Sequence, residues 1–411
     1  MNRWLGQLRA DLDRLKADHL WRSLEPLEPR GRELVCDGQT WVNLASNDYL
    51  ALSTHPHLKA AAVEAIGAFG TGSGASRLAG GHQRIHAEIE SRFASFKQAE
   101  SALIFPTGYM ANMAVITSLA GPGDLVCMDK LNHASLLDAA KASGATLRVY
   151  PHRHTDKLAR LLGRHAEKQA RSGHRPSRRL VVTDGVFSMD GDGADLPTLC
   201  DLADQYDAIL VVDEAHGTGV LGDTGVGLCQ LQQVSERVDV VVSTNSKALG
   251  GLGGIVTACR EIIDTLVNFA RPFIYTTAVP AVQASVIGAA LDVIRDEPWR
   301  RWRVLELSQK LRLAVADLGL AAWRPDALVT PIVPITVGHA SEALKLAHAL
   351  RQHDLFAPAI RPPTVAPGTA RVRISLRADL QDADLDRLIQ VLSNWSKKTG
   401  ARPASNGGQG N

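Results

Sequence analysis

Lys247 stands just beyond an apolar run, Val238–Ser243, in the string Thr244-Asn245-Ser246-Lys247, and four of the five residues Gly250–Gly254 are glycine. Glycines let a backbone come close to a ligand. A lysine desolvated in such a place has a lowered pKa and can form a Schiff base with a carbonyl. Asp213 follows another apolar run, Ala208–Val212, and opens Asp213-Glu214-Ala215-His216-Gly217-Thr218-Gly219. A carboxylate there can face a cationic ligand atom, with His216 three residues on. His133 follows Leu125–Met128, and Ser188 lies in the polar, glycine-rich stretch after Arg179–Thr183. After Ala102–Phe105 come Thr107, Gly108 and Tyr109 at the start of a helical pattern, where free N–H groups and the positive dipole end suit a phosphate. Taken singly, each has an ordinary reading: an N-cap, a surface histidine, a surface turn, an exposed lysine. The Asp-Glu-Ala-His string also occurs in helicases, but that use requires a phosphate loop with Gly-Lys, and the sequence has no such dipeptide.

What unites these residues is their place at strand ends. Six short apolar runs, the last being Gly254–Ala258, alternate with helical segments, which implies an α/β fold with a large, mostly parallel sheet covered on both faces. Ligands in such sheets bind at the carboxyl ends of the strands. Together the residues fit pyridoxal 5′-phosphate (PLP). Lys247 would carry it, Asp213 would hold the pyridinium nitrogen protonated, and Thr107–Tyr109, Ser188 and Thr244 would supply donors.

The supporting elements divide the chain. Residues 3–24 read as an amphipathic helix with Trp4, Leu8, Leu12, Leu15 and Trp21 near one side, and Glu33–Leu44 as short strands. The expected organisation is an N-terminal piece over 1–45, a large α/β domain over 46–280, a smaller α+β C-terminal domain over 281–396, and a disordered tail over 397–411. The C-terminal domain opens with a long helical stretch, Ala281–Leu318.

The 411 residues, 45% hydrophobic and 21% charged, exclude a disordered chain, and a net charge of +2 without a basic stripe argues against nucleic acid as partner. Cys36, Cys127, Cys200, Cys229 and Cys259 include no C-x-x-C pair, which suggests free thiols in a reducing compartment. No run reaches the length of a membrane span, and the N-terminal stretch lacks the apolar core of a signal peptide. The expected location is the cytoplasm, with no membrane and no metal.

The sequence resembles the α-oxoamine synthases, PLP-dependent enzymes of fold type I that condense an amino acid with an acyl thioester. The likeness runs from about Leu44 to Leu392. It rests on Ser46-Asn47-Asp48-Tyr49-Leu50, Gly72-Ser73-Gly74-Ala75-Ser76-Arg77, the run from Val212 to Gly219, and Thr244-x-x-Lys247. Ala359-Ile360-Arg361-Pro362-Pro363-Thr364-Val365 and its continuation to Arg373 look like the member that joins L-alanine to a pimeloyl thioester, carried by coenzyme A or acyl carrier protein. The rivals are members using glycine or another acyl group, such as those forming 5-aminolevulinate or 2-amino-3-oxobutyrate. A PLP-fold scaffold without turnover is disfavoured by Lys247, Asp213 and His133 occurring together. One departure is Asn245, where Phe or Leu is more usual.

The resemblance implies further roles. Lys247 carries the cofactor, Asp213 pairs with the ring nitrogen, His216 bonds the ring 3′-oxygen, and His133 stacks on the ring and meets substrate. Gly108, Tyr109, Ser188 and Thr244 position the cofactor. Thr276 and Thr277 reach a phosphate across a homodimer interface. Arg361 clamps the alanine carboxylate, Thr364 and Arg22 contact the acyl substrate, and Asn47 lies near the amino-acid end.

Overall fold

Apolar strands of five or six residues cannot be left half exposed, and the helices between them cover both faces of one sheet. The computed structural model describes residues 3–172, 177–320 and 327–400. The chain forms two compact units. The larger takes Asp48–Ser188 and Asp192–Trp302; the smaller takes the chain up to Asn47, Met189–Gly191, and the chain from Arg303 onward.

The smaller unit begins with the helix Arg3–Ala17, which stops seven residues short of the expected end. His19 takes a left-handed conformation (φ 58°), and the Leu20 N–H caps the Leu15 carbonyl at 2.8 Å. Strands β1 (Glu28–Arg30), β2 (Glu33–Cys36) and β3 (Gln39–Asn43) form an antiparallel meander. The two-residue strand β12 (Leu355–Phe356) joins β3 in parallel. Strands β11 (Ile332–Gly338), β14 (Ala370–Ser375) and β13 (Ala359–Ile360) make an antiparallel sheet in that order. The final helix, Asp382–Thr399, includes the start of the expected tail; residues 401–411 of that tail lie outside the described residues.

The larger unit holds β4 (Ser101–Phe105), β5 (Leu125–Asp129), β6 (Thr146–Tyr150), β7 (Arg179–Asp184), β8 (Ile209–Asp213), β9 (Val240–Thr244) and β10 (Gly254–Ala258) in the order β4-β10-β9-β8-β7-β5-β6. From β9 to β6 all pairs are parallel, while β10 runs antiparallel to both of its neighbours. The sheet is therefore mixed but mostly parallel, as the alternating pattern implies. Phe105, Val115, Met128, Leu136, Val182, Val211 and Val242 belong to one continuous core under its helices.

The stretch expected as one long helix is two, Ala281–Asp296 and Trp299–Asp317, parted at Pro298, whose ring and missing N–H cannot continue a helix. The first of them belongs to the larger unit, so the unit boundary falls at Trp302/Arg303 rather than after Pro280. Among the described residues no helix is long and apolar enough to cross a membrane.

Candidate active site

The parallel strands β5, β7, β8 and β9 bring Asp129, Asp184, Asp213 and Thr244 to one edge of the sheet. A cavity of about 220 Å³ opens there. Eight of the predicted site residues line it: Gly108, Tyr109, His133, Ser188, Asp213, His216, Thr244 and Lys247. They come from five separate loops, which only the sheet gathers.

Local chemistry explains each placement. Thr107 is the N-cap of the helix Gly108–Leu119; its hydroxyl oxygen accepts the Met110 N–H at 3.1 Å. The cap reading and the phosphate reading are compatible, since the remaining N–H groups of the first turn point outward from the same end. The glycines after Lys247 answer to close approach. A Cβ on Gly254 would lie 2.5 Å from the Thr107 carbonyl oxygen and 2.8 Å from the Gly108 Cα, so the helix start and the lysine loop touch through backbone alone. Asn245 N–H to the Gly253 carbonyl (2.9 Å) and Gly250 N–H to the Lys247 carbonyl (2.9 Å) close the loop. The Thr244 hydroxyl bonds the Gly253 carbonyl at 3.0 Å and lies 2.9 Å from the Ser246 hydroxyl.

Asp213 is 5% exposed. One carboxylate oxygen accepts the Asn112 side-chain N–H at 2.7 Å, and the other the Ala215 N–H at 2.9 Å. Asn112 also donates to the Ser135 hydroxyl at 2.9 Å, and that hydroxyl lies 2.7 Å from His133 Nδ1. One amide thus sets the distance between the Asp213 loop and the His133 loop. His133 is held again from below, its N–H donating to Asp184 Oδ2 at 2.7 Å. Burial, and then the nearby Asp213 charge, push the Asp184 carboxyl well above the usual carboxylate range. Desolvation lowers the His133 pKa, partly opposed by Asp213. His216 Nδ1 sits 2.6 Å from the hydroxyl of the fully buried Tyr49. Tyr109 donates its hydroxyl to Asp138 at 2.7 Å, which raises its own pKa.

Asn112, Ser135, Asp184 and Ser246 line the cavity too and are not among the predicted residues. Asn112 had a readable signal: a single amide in the otherwise apolar helix Gly-Tyr-Met-Ala-Asn-Met-Ala-Val-Ile.

The other predicted residues are elsewhere. Thr276 and Thr277 do not line the cavity. Thr277 forms a β-bridge with Ser76, beside the Ala278 N–H bond to the Ala75 carbonyl (2.9 Å). The remaining four belong to the smaller unit. Arg361 donates to the His19 and Trp21 carbonyls, the latter at 3.1 Å, and Arg22 donates to the Pro362 carbonyl at 3.3 Å. Thr364 N–H bonds the Arg361 carbonyl at 3.1 Å. Asn47 Oδ1 accepts from the buried Arg373 at 3.0 Å.

The donor set of the cavity fits PLP. A lysine shares it with a buried carboxylate whose oxygens are held by neutral donors, a counter-charge suited to a protonated ring nitrogen. A helix N-terminus and the Thr244 and Ser246 hydroxyls suit a phosphate.

The fold and this site define a fold-type-I PLP-dependent transferase, and the family description "Aminotransferase class I and II" matches residues 39–392. The chain is 43% identical to the 8-amino-7-oxononanoate synthase of Cellvibrio japonicus over 400 residues, 96% of this chain and 97% of that one. It is 41% identical to that of Geobacter sulfurreducens over 396 residues, 96% and 98% of the two chains. Among solved structures, the serine palmitoyltransferase of Sphingomonas wittichii superposes with a TM-score of 0.87 at 26% identity, covering 98% of this chain and 99% of that one. The 8-amino-7-oxononanoate synthase of Francisella tularensis gives 0.74 at 27%, covering 88% and 99%. The chain belongs to the 8-amino-7-oxononanoate synthase family, and its cofactor is PLP. The resemblance to the α-oxoamine synthases and the fold class are borne out.

Proposed function

We propose that the chain makes 8-amino-7-oxononanoate in biotin biosynthesis, condensing L-alanine with a pimeloyl thioester and releasing CO₂ and the thiol carrier. The observation that carries this reading is the meeting of Lys247, Asp213, His133 and His216 at one cavity in a chain so similar, over nearly its whole length, to curated synthases. When bound, PLP supplies an electron sink for the α-carbon of the amino acid. The chain's own residues supply the rest. Asp213, fixed by Asn112, would keep a proton on the pyridine nitrogen. Lys247 Nζ would carry the cofactor and move the alanine α-proton. His133, anchored by Ser135 and Asp184, would cover one face of the ring and keep water from it. His216, backed by Tyr49, would hold the 3′-oxygen. Gly108, Tyr109, Ser188 and Thr244 would orient ring and phosphate.

Arg22, Arg361 and Thr364 form one cluster in the smaller unit, and we assign Arg361 to the alanine carboxylate and Arg22 and Thr364 to the acyl substrate, with Asn47 at the amino-acid end. Burial and the neighbouring Arg22 charge both lower the Arg361 pKa, which an anion bound there would relieve. The working unit is a homodimer. Exposed Leu78 and Tyr275 flank the Ser76–Thr277 bridge, and such apolar side chains suit an interface that would bring Thr276 and Thr277 to a partner's phosphate. We place the enzyme in the cytoplasm, in keeping with its free cysteines. The test is product analysis with pimeloyl-CoA and alanine, glycine or serine. The reading requires product from alanine above all; preference for glycine or serine would give the chain to another α-oxoamine synthase.

A further inference from the structure

Two of the loops that feed the cavity are the one after β5 carrying His133 and the one after β7 carrying Ser188, and a histidine outside the cavity lies between their anchors. His152 follows β6. Its Nδ1 is 3.0 Å from Asp129 Oδ1, and its Nε2 is 2.8 Å from Asp192 Oδ2. Asp129 ends β5 and is the root of the first loop: the same Oδ1 accepts the Leu131 N–H at 2.8 Å, two residues before His133. Its other oxygen accepts the Arg153 N–H at 2.8 Å, tying His152's own segment to the same carboxylate. Asp192 belongs to the second loop, where its carbonyl accepts the Phe187 N–H at 2.9 Å. The Phe187 ring, one residue before Ser188, meets the His152 ring edge-on, with centroids 4.4 Å apart and planes at 87°.

A neutral imidazole carries one N–H. With a carboxylate at each nitrogen, both contacts are hydrogen bonds only when the ring is an imidazolium, and each is then charge-assisted. We propose, building on the function proposed above, that His152 is a positioning residue whose imidazolium clasps the His133 loop to the Ser188 loop through Asp129 and Asp192. It is not among the residues that line the cavity. Its effect would pass through the two loops that present their side chains there.

The charged and titratable groups around it are few. Asp129 faces it from β5 and Asp192 from the Ser188 loop. Arg153 lies beside it with a guanidinium nitrogen 3.6 Å from Asp192, and Tyr150 is buried near Asp129. Burial works to lower the His152 pKa, but the two bonded carboxylates outweigh it and hold it at about 9. The folded value is above the ordinary one of about 6.5. The clasp is therefore at full strength below that ordinary value and is lost as pH rises through about 9.

The test is hydrogen exchange by mass spectrometry on the PLP-loaded protein, corrected for the intrinsic pH dependence, over segments 129–135 and 185–193. Glutamine can donate to one carboxylate but turns an oxygen toward the other. In His152→Gln both segments should exchange about tenfold faster at pH 7, the size of one lost charge-assisted bond. Wild-type protection of both segments should fall across pH 9, while His152→Gln should show no step there. Asp192→Asn should loosen 185–193 and leave 129–135 protected, and it carries the test should His152→Gln fail to fold. Unchanged exchange in both segments, or equal loosening throughout the chain, would overturn the proposal. The readout needs no substrate. A wild-type protein that makes nothing from alanine with either pimeloyl-CoA or pimeloyl-acyl carrier protein would sink the proposed activity while leaving the clasp to stand or fall on exchange alone.

Discussion

Asp213 and Arg361 are both charged residues proposed for the site, one in each unit, and they are held in opposite ways. Asp213 is buried on a rigid strand end, and neutral donors from two different elements fix both of its oxygens. Arg361 is half-buried on an irregular segment, and its guanidinium already donates to two backbone carbonyls of the chain after the first helix. A charge fixed in a poorly polarisable interior is preorganised, and no rearrangement replaces it. A guanidinium has five donors on a long stem, so it can give up a carbonyl for a carboxylate and share its task with neighbours. On the proposed assignments, the cofactor's counter-charge would be built in advance, and the guanidinium proposed for alanine would exchange partners on binding.

That contrast can be broken by substitution. The largest effect belongs to the cavity's lysine: Lys247→Ala should cut turnover about 10⁴-fold, as loss of both attachment and proton transfer implies, while PLP still binds weakly. Borohydride reduction of the wild-type protein should label the Lys247 peptide, and a label on another lysine would remove the assignment. Asp213→Asn keeps the shape of the site and removes its charge. Turnover should fall about 10²-fold, and α-deuterium exchange of alanine without acyl donor should slow by as much. Exchange at the wild-type rate would mean that the ring nitrogen is served by something else.

Arg361→Lys keeps the charge and removes the planar fork. Alanine should bind about ten- to a hundredfold more weakly, with PLP affinity unchanged, read from the alanine-dependent change in cofactor absorbance. An unchanged constant, here and in Arg361→Ala, would place the carboxylate elsewhere. The smallest effect concerns Asn245, whose fully buried amide has neither oxygen nor nitrogen hydrogen-bonded among the described residues. Asn245→Leu should stabilise the protein by about 1 kcal/mol, raising the thermal midpoint by ~1 °C. A lower midpoint would show that the amide is satisfied in solution.

Much of the larger unit could be read from the chain, because a strand buried on both faces must be apolar throughout and its ends must then turn polar. Each of the six apolar runs became a strand, within one or two residues. The seventh, β6, was not legible. It is an edge strand whose residues are mostly exposed, so no apolar run marks it. The first helix ends before its apolar spacing does, since Leu20 and Trp21 keep that spacing beyond the left-handed His19. The helical pattern after Pro280 runs on past Pro298, but the proline itself breaks the helix there.

The sequence by itself determined the chemistry at the cavity: which strand ends carry a lysine, an aspartate, a histidine and hydroxyls, and hence that PLP belongs among them. It could do so because those residues lie within a few positions of runs that burial makes conspicuous. Only the tertiary structure decided how they are held. Asn112 reaches Asp213 across 101 positions, and Asp184 reaches back 51 to the His133 N–H. His152 lies 23 positions from one of its carboxylates and 40 from the other. A hydrogen bond depends on distance in space and leaves no periodic trace along a chain, so these supports become visible only once parallel strands have brought their ends side by side.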